Sequence, residues 1–331
     1  MEFAKRYVNI INEVNLTALK EKSIFITGGT GFFGYWLLKL ISELNKNDYK
    51  IKITLLSRHP NFFLQNNPEY KNCTWLTWLQ GDIVNYMYPE TKFDLIIHGA
   101  ANTSPILFEK PATVFDEIVS GTKHVLKHAQ YCGAKRFLNI SSGAAYGEIA
   151  NETKFIKEDD TTAPLTNKTE NAYGEAKRAA EMLAHSVAKE TALEVVTARC
   201  FAFAGKGIGK HLVLNILFQQ ARQEQEITIK STGKARRSFL HGRDLAVWLF
   251  KLLTDGTNGE IYNVGSDNAY TIKELGELIR DLISPTKTVN VQSVYTNEQR
   301  INYIPSIDKA KLLGLNVWTK LNESIEEMNS E

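Results

Sequence analysis

Tyr173 and Lys177 stand four residues apart in Tyr173-Gly174-Glu175-Ala176-Lys177, a spacing that puts both side chains on one face of a helix. The pair suits proton transfer. A phenol has a reference pKa of ~10, and bringing it to neutrality takes about 4 kcal/mol of phenolate stabilisation at ~1.4 kcal/mol per unit, which a neighbouring ammonium helps to supply. Upstream runs Ser141-Ser142-Gly143-Ala144-Ala145-Tyr146-Gly147, where a serine hydroxyl is available to hydrogen-bond a reacting oxygen. Standing alone, the Tyr–Lys spacing describes an ordinary pair on an exposed helix. It gains weight from the segment Gly28-Gly29-Thr30-Gly31-Phe32-Phe33-Gly34 near the N-terminus.

That segment follows the apolar run Ser23-Ile24-Phe25-Ile26-Thr27 and leads into Trp36, Leu37, Leu38, Leu40 and Ile41 at helical spacing. It therefore reads as strand, tight turn and helix. Both Gly29-x-Gly31-x-x-Gly34 and Gly28-x-x-Gly31-x-x-Gly34 fit a dinucleotide-binding turn, in which glycine lets the backbone approach a pyrophosphate and the helix pack closely on the strand. The helix N-terminus favours the anion. Gly28, Thr30, Gly31, Phe32, Phe33 and Gly34 are accordingly cofactor-binding candidates. The second strand ends Leu56-Ser57-Arg58, without the carboxylate that accepts hydrogen bonds from an adenosine ribose. A hydroxyl and a guanidinium there suit a 2′-phosphate, so Ser57 and Arg58 make NADP(H) the preferred cofactor and NAD(H) the alternative. Asp82, in Gly81-Asp82-Ile83 after the third strand, is placed to bind the adenine amino group, with Ile83 beside it.

The elements that must hold these groups follow from periodicity. Apolar runs at 51–56, 75–79, 95–98, 137–140 and 195–198 alternate with segments able to form helices, notably 114–130 and 172–190. Such alternation implies an α/β fold, a Rossmann-like doubly wound parallel sheet covered on both faces. Residues 1–21 read as an N-terminal amphipathic helix and 22–200 as the dinucleotide-binding domain. Residues 201–331 read as a smaller α/β substrate-binding lobe, some of whose strands and helices return to the first domain. The 331 residues are 43% hydrophobic and 23% charged, which excludes a disordered or disulfide-scaffold chain. Lys plus Arg total 39 against 37 for Asp plus Glu, so the net charge of +2 gives no reason to expect a nucleic acid or an anionic membrane as partner. Any anionic ligand must be held by local residues. Cys73, Cys132 and Cys200 form no C-x-x-C pair, so no metal is expected. No apolar run approaches the ~18 to 20 residues of a membrane span, and a soluble, cytoplasmic protein is expected.

Taken together, these motifs resemble the extended short-chain dehydrogenase/reductase superfamily, in its nucleotide-sugar epimerase, dehydratase and reductase branch. The resemblance covers about residues 22 to 315. It rests on Thr27 to Gly34, His98-Gly99-Ala100-Ala101, Ser141-Ser142 with Tyr146-Gly147, Tyr173-x-x-x-Lys177, Arg199, Arg237-Ser238-Phe239-Leu240-His241 and Asn263-Val264-Gly265. It implies that Tyr173 moves a proton on or off a sugar hydroxyl while hydride passes between its carbon, commonly C4, and the nicotinamide. Lys177 would bind the nicotinamide ribose and depress the Tyr173 pKa, and Ser142 would hydrogen-bond the reacting oxygen. Ala100, Ala101 and Thr103 would pass beneath the cofactor, and Phe201 would lie near the carboxamide. On the substrate side, the resemblance makes Arg237 the grip on the nucleotide diphosphate and Arg300 a second such arginine, with Asn215 and Ser104 as further candidates. It also implies a homodimer through a four-helix interface formed by 114–130 and 172–190.

The branch's 4,6-dehydratases carry an acidic pair directly after the catalytic Ser or Thr, because eliminating water needs a further acid and base. Here Gly143-Ala144 stands in that place, which disfavours dehydration and, less firmly, decarboxylation of a uronate. A simple C4 redox step remains. A reductase exchanges cofactor with the cellular pool, and Ser57-Arg58 tilts the reading towards reduction of a nucleotide-linked 4-keto-6-deoxyhexose. A C4 epimerase with tightly held NAD fits Gly143-Ala144 equally well. A non-catalytic nucleotide-sugar or NADP sensor has no need of Ser142, Tyr173 and Lys177.

Overall fold

Successive residues of a strand face opposite sides of a sheet, so a strand covered on both faces is apolar throughout. Leu95-Ile96-Ile97-His98 is buried at all four positions. The computed structural model describes residues 7, 10, 11, 13–101, 109–149, 154–295 and 302–330. Up to residue 200 the chain runs β1 (Ser23–Thr27), α1 (Phe32–Lys46), β2 (Lys52–Ser57), α2 (Pro60–Asn66), β3 (Leu76–Gln80), β4 (Leu95–His98), α3 (Pro111–Cys132), β5 (Arg136–Ser142), α4 (Ala172–Glu190) and β6 (Glu194–Cys200). Beyond it come β7 (Phe203–Ala204), α5 (Val213–Gln223), β8 (Ile227–Ser231), β9 (Arg236–Ser238), β10 (Leu240–His241), α6 (Gly242–Asp255) and β11 (Ile261–Val264). β12 (Ala269–Thr271), α7 (Ile272–Ile283), β13 (Val289–Tyr295), β14 (Asn302–Tyr303), α8 (Asp308–Lys311) and α9 (Leu321–Ser330) complete it.

The main sheet has seven parallel strands in the order β11-β6-β5-β4-β1-β2-β3. Its side chains divide by period two. Ile24, Ile26, Leu95, Ile97, Leu138 and Ile140 pack with Trp36 to Ile41 of α1 and Leu245 to Leu253 of α6. Phe25, Ile96, Phe137 and Val195 face the other way, onto Val125, Leu126 and Ala129 of α3 and Ala184 of α4. The chain departs from β1 in one direction to β2 and β3 and returns on its other side at β4. That reversal opens a crevice beyond the carboxyl ends of β1 and β4, the place where open α/β sheets bind ligands.

Segment 201–331 contributes to both cores. β11 and α6 join the main sheet and its first core, whereas α5, α7 and α9 pack with Ile227 and Ile229 of β8 in a second one. α7 begins with a reciprocal capping box between Thr271 and Glu274, worth on the order of 1 kcal/mol. Of the expected N-terminal helix, Tyr7, Ile10 and Val14 lie buried in the first core. Residues 1–6, 8, 9 and 12 lie outside the described residues.

Candidate active site

Each glycine of the turn after β1 meets a different constraint. Gly28 has φ +75°, and a Cβ there would sit 2.5 Å from the Gly99 carbonyl. At Gly34 a Cβ would come within 2.0 Å of the Gly29 carbonyl oxygen, so α1 could not approach the turn. Gly31 is different, since a Cβ would meet only the Gly28 oxygen at 3.6 Å. The space it leaves belongs to the crevice. Gly31 is also the cap residue of α1 and supplies no side-chain acceptor, which leaves first-turn N–H groups for an anion. The turn thus fits a dinucleotide, with its pyrophosphate at the α1 terminus.

A buried chain of hydrogen bonds fixes the opposite wall. Thr27 Oγ1 accepts from the N–H groups of Gly99 and Ala100, both at 3.2 Å. Its own proton is left for His98 Nδ1 at 2.9 Å, so Nε2–H donates to Thr122 Oγ1 at 3.0 Å, and Thr122 donates to the Ile118 carbonyl at 2.7 Å. Burial, helped by the Lys177 ammonium, holds the His98 pKa down at about 3 and the ring neutral. β1, β4 and α3 are tied at the point where the cofactor would rest.

The crevice encloses about 1150 Å³. Gly28, Thr30, Gly31, Phe32, Phe33, Ser57, Arg58, Asp82, Ile83, Ala100, Ala101, Ser142, Tyr173, Lys177 and Phe201 all line it. At one end Arg58 Nη1 lies 3.9 Å from Asp82 Oδ2, the arginine largely and the aspartate partly in solvent, a contact worth little. Asp82 Oδ1 accepts from the Val84 N–H at 3.1 Å. Gly34 stands behind the turn, packed on Gly29.

At the other end α4 presents Tyr173 and Lys177. Ser142 ends β5 and caps the following turn, its Oγ accepting from Ala144 N–H at 3.1 Å, and its hydroxyl is near enough to favour the Tyr173 phenolate. Lys177 is buried and donates from Nζ to the Ile140 carbonyl at 2.8 Å. Its Nζ lies 5.9 Å from the centre of the Tyr173 ring. Burial brings the Lys177 pKa down to about 8. Burial dominates and pushes the phenol well above its ordinary value, against the Ser142 hydrogen bond, with Tyr303 and Cys200 raising it further.

One turn beyond Lys177, Glu181 takes both a bidentate pair from Arg199, at 3.0 and 2.7 Å, and a hydrogen bond from Ser141. Sequence reasoning passed over Glu181, although Tyr173, Lys177 and Glu181 repeat every four residues on one helix face. It also passed over Lys206 and His211, which line the crevice from the loop after β7. The signal was there in Gly205-Lys206-Gly207-Ile208-Gly209-Lys210-His211, a basic glycine-rich loop. Asn215 and Arg237 are absent from the crevice lining. Asn215 is buried and donates to the Ile208 carbonyl at 2.9 Å, so it braces that loop. The Arg237 guanidinium donates to the Arg236 carbonyl and lies 5.8 Å from the Tyr303 ring centre. Thr103, Ser104 and Arg300 lie outside the described residues.

Comparison with known proteins adds four findings. The model of the NAD dependent epimerase/dehydratase family matches residues 24–265. A UDP-glucuronic acid decarboxylase of Arabidopsis thaliana is 27% identical over 315 residues, covering 93% of this chain and 88% of that protein. The dTDP-D-glucose 4,6-dehydratase of Mus musculus is 28% identical over 287 residues, covering 81% and 76%. Among solved structures, an epimerase of Methanothermobacter thermautotrophicus superposes with a TM-score of 0.81 at 21% identity, covering 98% of this chain and 95% of that one. The last is a likeness of fold.

Proposed function

The chain belongs to the NAD dependent epimerase/dehydratase family, and from that premise we propose that it is an NADP(H)-dependent oxidoreductase that reduces the C4 ketone of a nucleotide-linked 6-deoxyhexose. One observation carries the reading: Ser142, Tyr173 and Lys177 line one crevice, while positions 143 and 144 offer no carboxylate. A carbonyl being reduced needs a proton donor, and a phenol, which is protonated at neutral pH, is one. A bound reduced nicotinamide supplies the hydride. Ser142 hydrogen-bonds the carbonyl oxygen, Tyr173 gives that oxygen its proton, and the phenolate left behind is reprotonated from water. Lys177, still largely an ammonium at neutral pH, holds the nicotinamide ribose and steadies the phenolate while it lasts. Ser57 and Arg58 take the 2′-phosphate, and Lys206 and His211 face the substrate diphosphate.

Decarboxylation and dehydration, the reactions in the names of the relatives, each need a further proton-transfer group near C5 or C6. Gly143 and Ala144 supply none. A second reading, C4 epimerisation with retained NAD, uses the same Ser142, Tyr173 and Lys177, and Gly143-Ala144 fits it equally well. The test is Tyr173→Phe, assayed by NADPH oxidation with dTDP-4-keto-6-deoxyglucose. Loss of general acid catalysis lowers kcat by on the order of 10²- to 10⁴-fold, with NADPH affinity retained. Turnover that survives the substitution removes Tyr173 from the chemistry.

A further inference from the structure

The loop after β7 lines the crevice through Lys206, Gly207, Ile208, Gly209, His211 and Leu212. Three of its first five residues are glycine, and Gly205 and Gly207 have φ of +125° and +82°. A backbone of that kind has much conformational freedom to lose, so its shape has to be fixed from outside. Two side chains do this. Asn215 Nδ2 donates to the Ile208 carbonyl at 2.9 Å, and the indole Nε1 of Trp36 donates to the Lys206 carbonyl at 3.2 Å. Trp36 belongs to α1, the helix whose N-terminus fits the cofactor pyrophosphate. We propose that Trp36 is a positioning residue for substrate binding: its indole ties the loop 205–212 to the cofactor helix and so sets the backbone from which Lys206 meets a substrate diphosphate. This rests on the nucleotide-sugar reading above.

The indole is itself held from several sides. Trp36 is buried, and its ring fills the room that two glycines leave. A Cβ on Gly242 would lie 2.1 Å from Trp36 Nε1, and one on Gly205 would lie 3.0 Å from Trp36 Cζ2 and 3.2 Å from His241 Nε2. The His241 ring meets the indole edge to face at 4.7 Å, and the Tyr35 ring does so at 5.3 Å. His241 is placed by the pairing of β10 with β7, where it stands opposite Ala204, one residue before the loop begins. A ring packed in this way turns little, so the carbonyl that it holds is fixed relative to α1. Tyr35, next to it on α1, lines the crevice, and Lys206 Nζ lies 6.0 Å from the centre of its ring. Setting the backbone of a long cationic side chain beforehand removes part of the ordering cost of binding. A local cation counts here, because the net charge of +2 supplies little attraction for an anion.

The experiment uses the full-length protein and Trp36→Phe, which keeps an aromatic ring in place and removes the N–H. Limited digestion with trypsin reads the loop directly. Cleavage after Lys206 and Lys210, identified by fragment mass, should quicken about 3- to 10-fold, the size of one lost hydrogen bond. Calorimetric titration reads the site, first with NADP⁺ and then, on the NADP⁺-loaded protein, with dTDP and dTDP-glucose and with UDP and UDP-glucose alongside. The nucleotide and sugar nucleotide should weaken by a similar 3- to 10-fold, whereas NADP⁺ should change by less than about 2-fold. Lys206→Ala should weaken the same ligands, and in that background Trp36→Phe should add little. If Trp36→Phe does not fold, Gly205→Ala keeps the indole and pushes the loop away from it, with the same split expected. Unchanged cleavage, equal weakening of NADP⁺ and dTDP, or additive effects of the 36 and 206 substitutions overturn the positioning role while leaving the function standing. A wild-type protein that binds neither nucleotide nor sugar nucleotide overturns the nucleotide-sugar reading and this inference with it.

Discussion

Burial drives Tyr173 and Lys177 in opposite directions: it disfavours the phenolate of the one and the ammonium of the other, bringing Lys177 to about 8. Lys177 keeps its proton at neutral pH but with a narrow margin, and Tyr173 keeps its own with a wide one. A raised pKa makes Tyr173 a weaker acid, so the Lys177 ammonium and a bound cofactor must favour the phenolate for it to give its proton up readily. The residue that decides the cofactor is less constrained. Arg58 is 64% exposed on its side chain and its ion pair among the described residues is the 3.9 Å contact with Asp82, so it can turn to a 2′-phosphate. Arg58→Asp should reverse the preference for NADPH over NADH, read from Kd values by nucleotide fluorescence titration, because a carboxylate repels the phosphate and accepts from a ribose hydroxyl. An unchanged ratio removes Arg58 from cofactor selection. Ser142, Tyr173 and Lys177 were legible in the sequence because residue type and local spacing define them. The part played by Trp36 was not, since its spacing shows it only as an apolar residue of α1 and the carbonyl that it holds lies 170 residues further on.

α4 is the element on which the site depends, and it is fastened by Glu181. Arg199, Glu181 and Ser141 form a buried group spanning α4, β5 and β6. Removing one member of a buried ion pair leaves the other charge uncompensated, at about 3–5 kcal/mol. Glu181→Ala should accordingly lower Tm by many degrees, followed by circular dichroism; a change of only a degree or two would mean that the pair contributes little. The strand, glycine turn and α1 were readable from the order and spacing of residues, because the motif and the apolar face of α1 are local, with Gly34 set against Gly29 within the same turn. Arg237 and Asn215 illustrate the opposite case. Their residue types suit a diphosphate, yet packing turns Arg237 over Tyr303 and Asn215 under the 205–212 loop, while Lys206 and His211 of that loop line the crevice.

At the scale of the whole molecule, two buried neutral histidines make stability fall with acid. His98 is held at about 3 and His128 at about 4, both by burial, against ~6.5 in an unfolded chain. Between those values the unfolded chain binds more protons, so the contribution is complete above pH ~6.5 and is lost as pH falls towards 4, at ~1.4 kcal/mol per unit for each ring. Asp244 works the other way, because burial raises it to about 6, but its window is narrower than the two histidine windows together. Denaturant midpoints should decline from pH 6.5 to 4.5; a flat profile would contradict the neutral assignment. α3 and α4 pack on one another and expose Phe115 and Met182, and the homodimer proposed through them predicts twice the 37.4 kDa chain mass in light scattering. A monomer sinks that interface. The central claim, net reduction at C4 by a cofactor that comes and goes, is tested most directly by purifying the protein without ligand, identifying any nicotinamide it releases on denaturation, and then supplying C4-deuterated NADPH with dTDP-4-keto-6-deoxyglucose. The account predicts little retained cofactor and one deuterium at C4 of the sugar for each NADPH consumed. Stoichiometric retained NAD, with sugar interconversion and no net cofactor consumption, would contradict it and establish the epimerase.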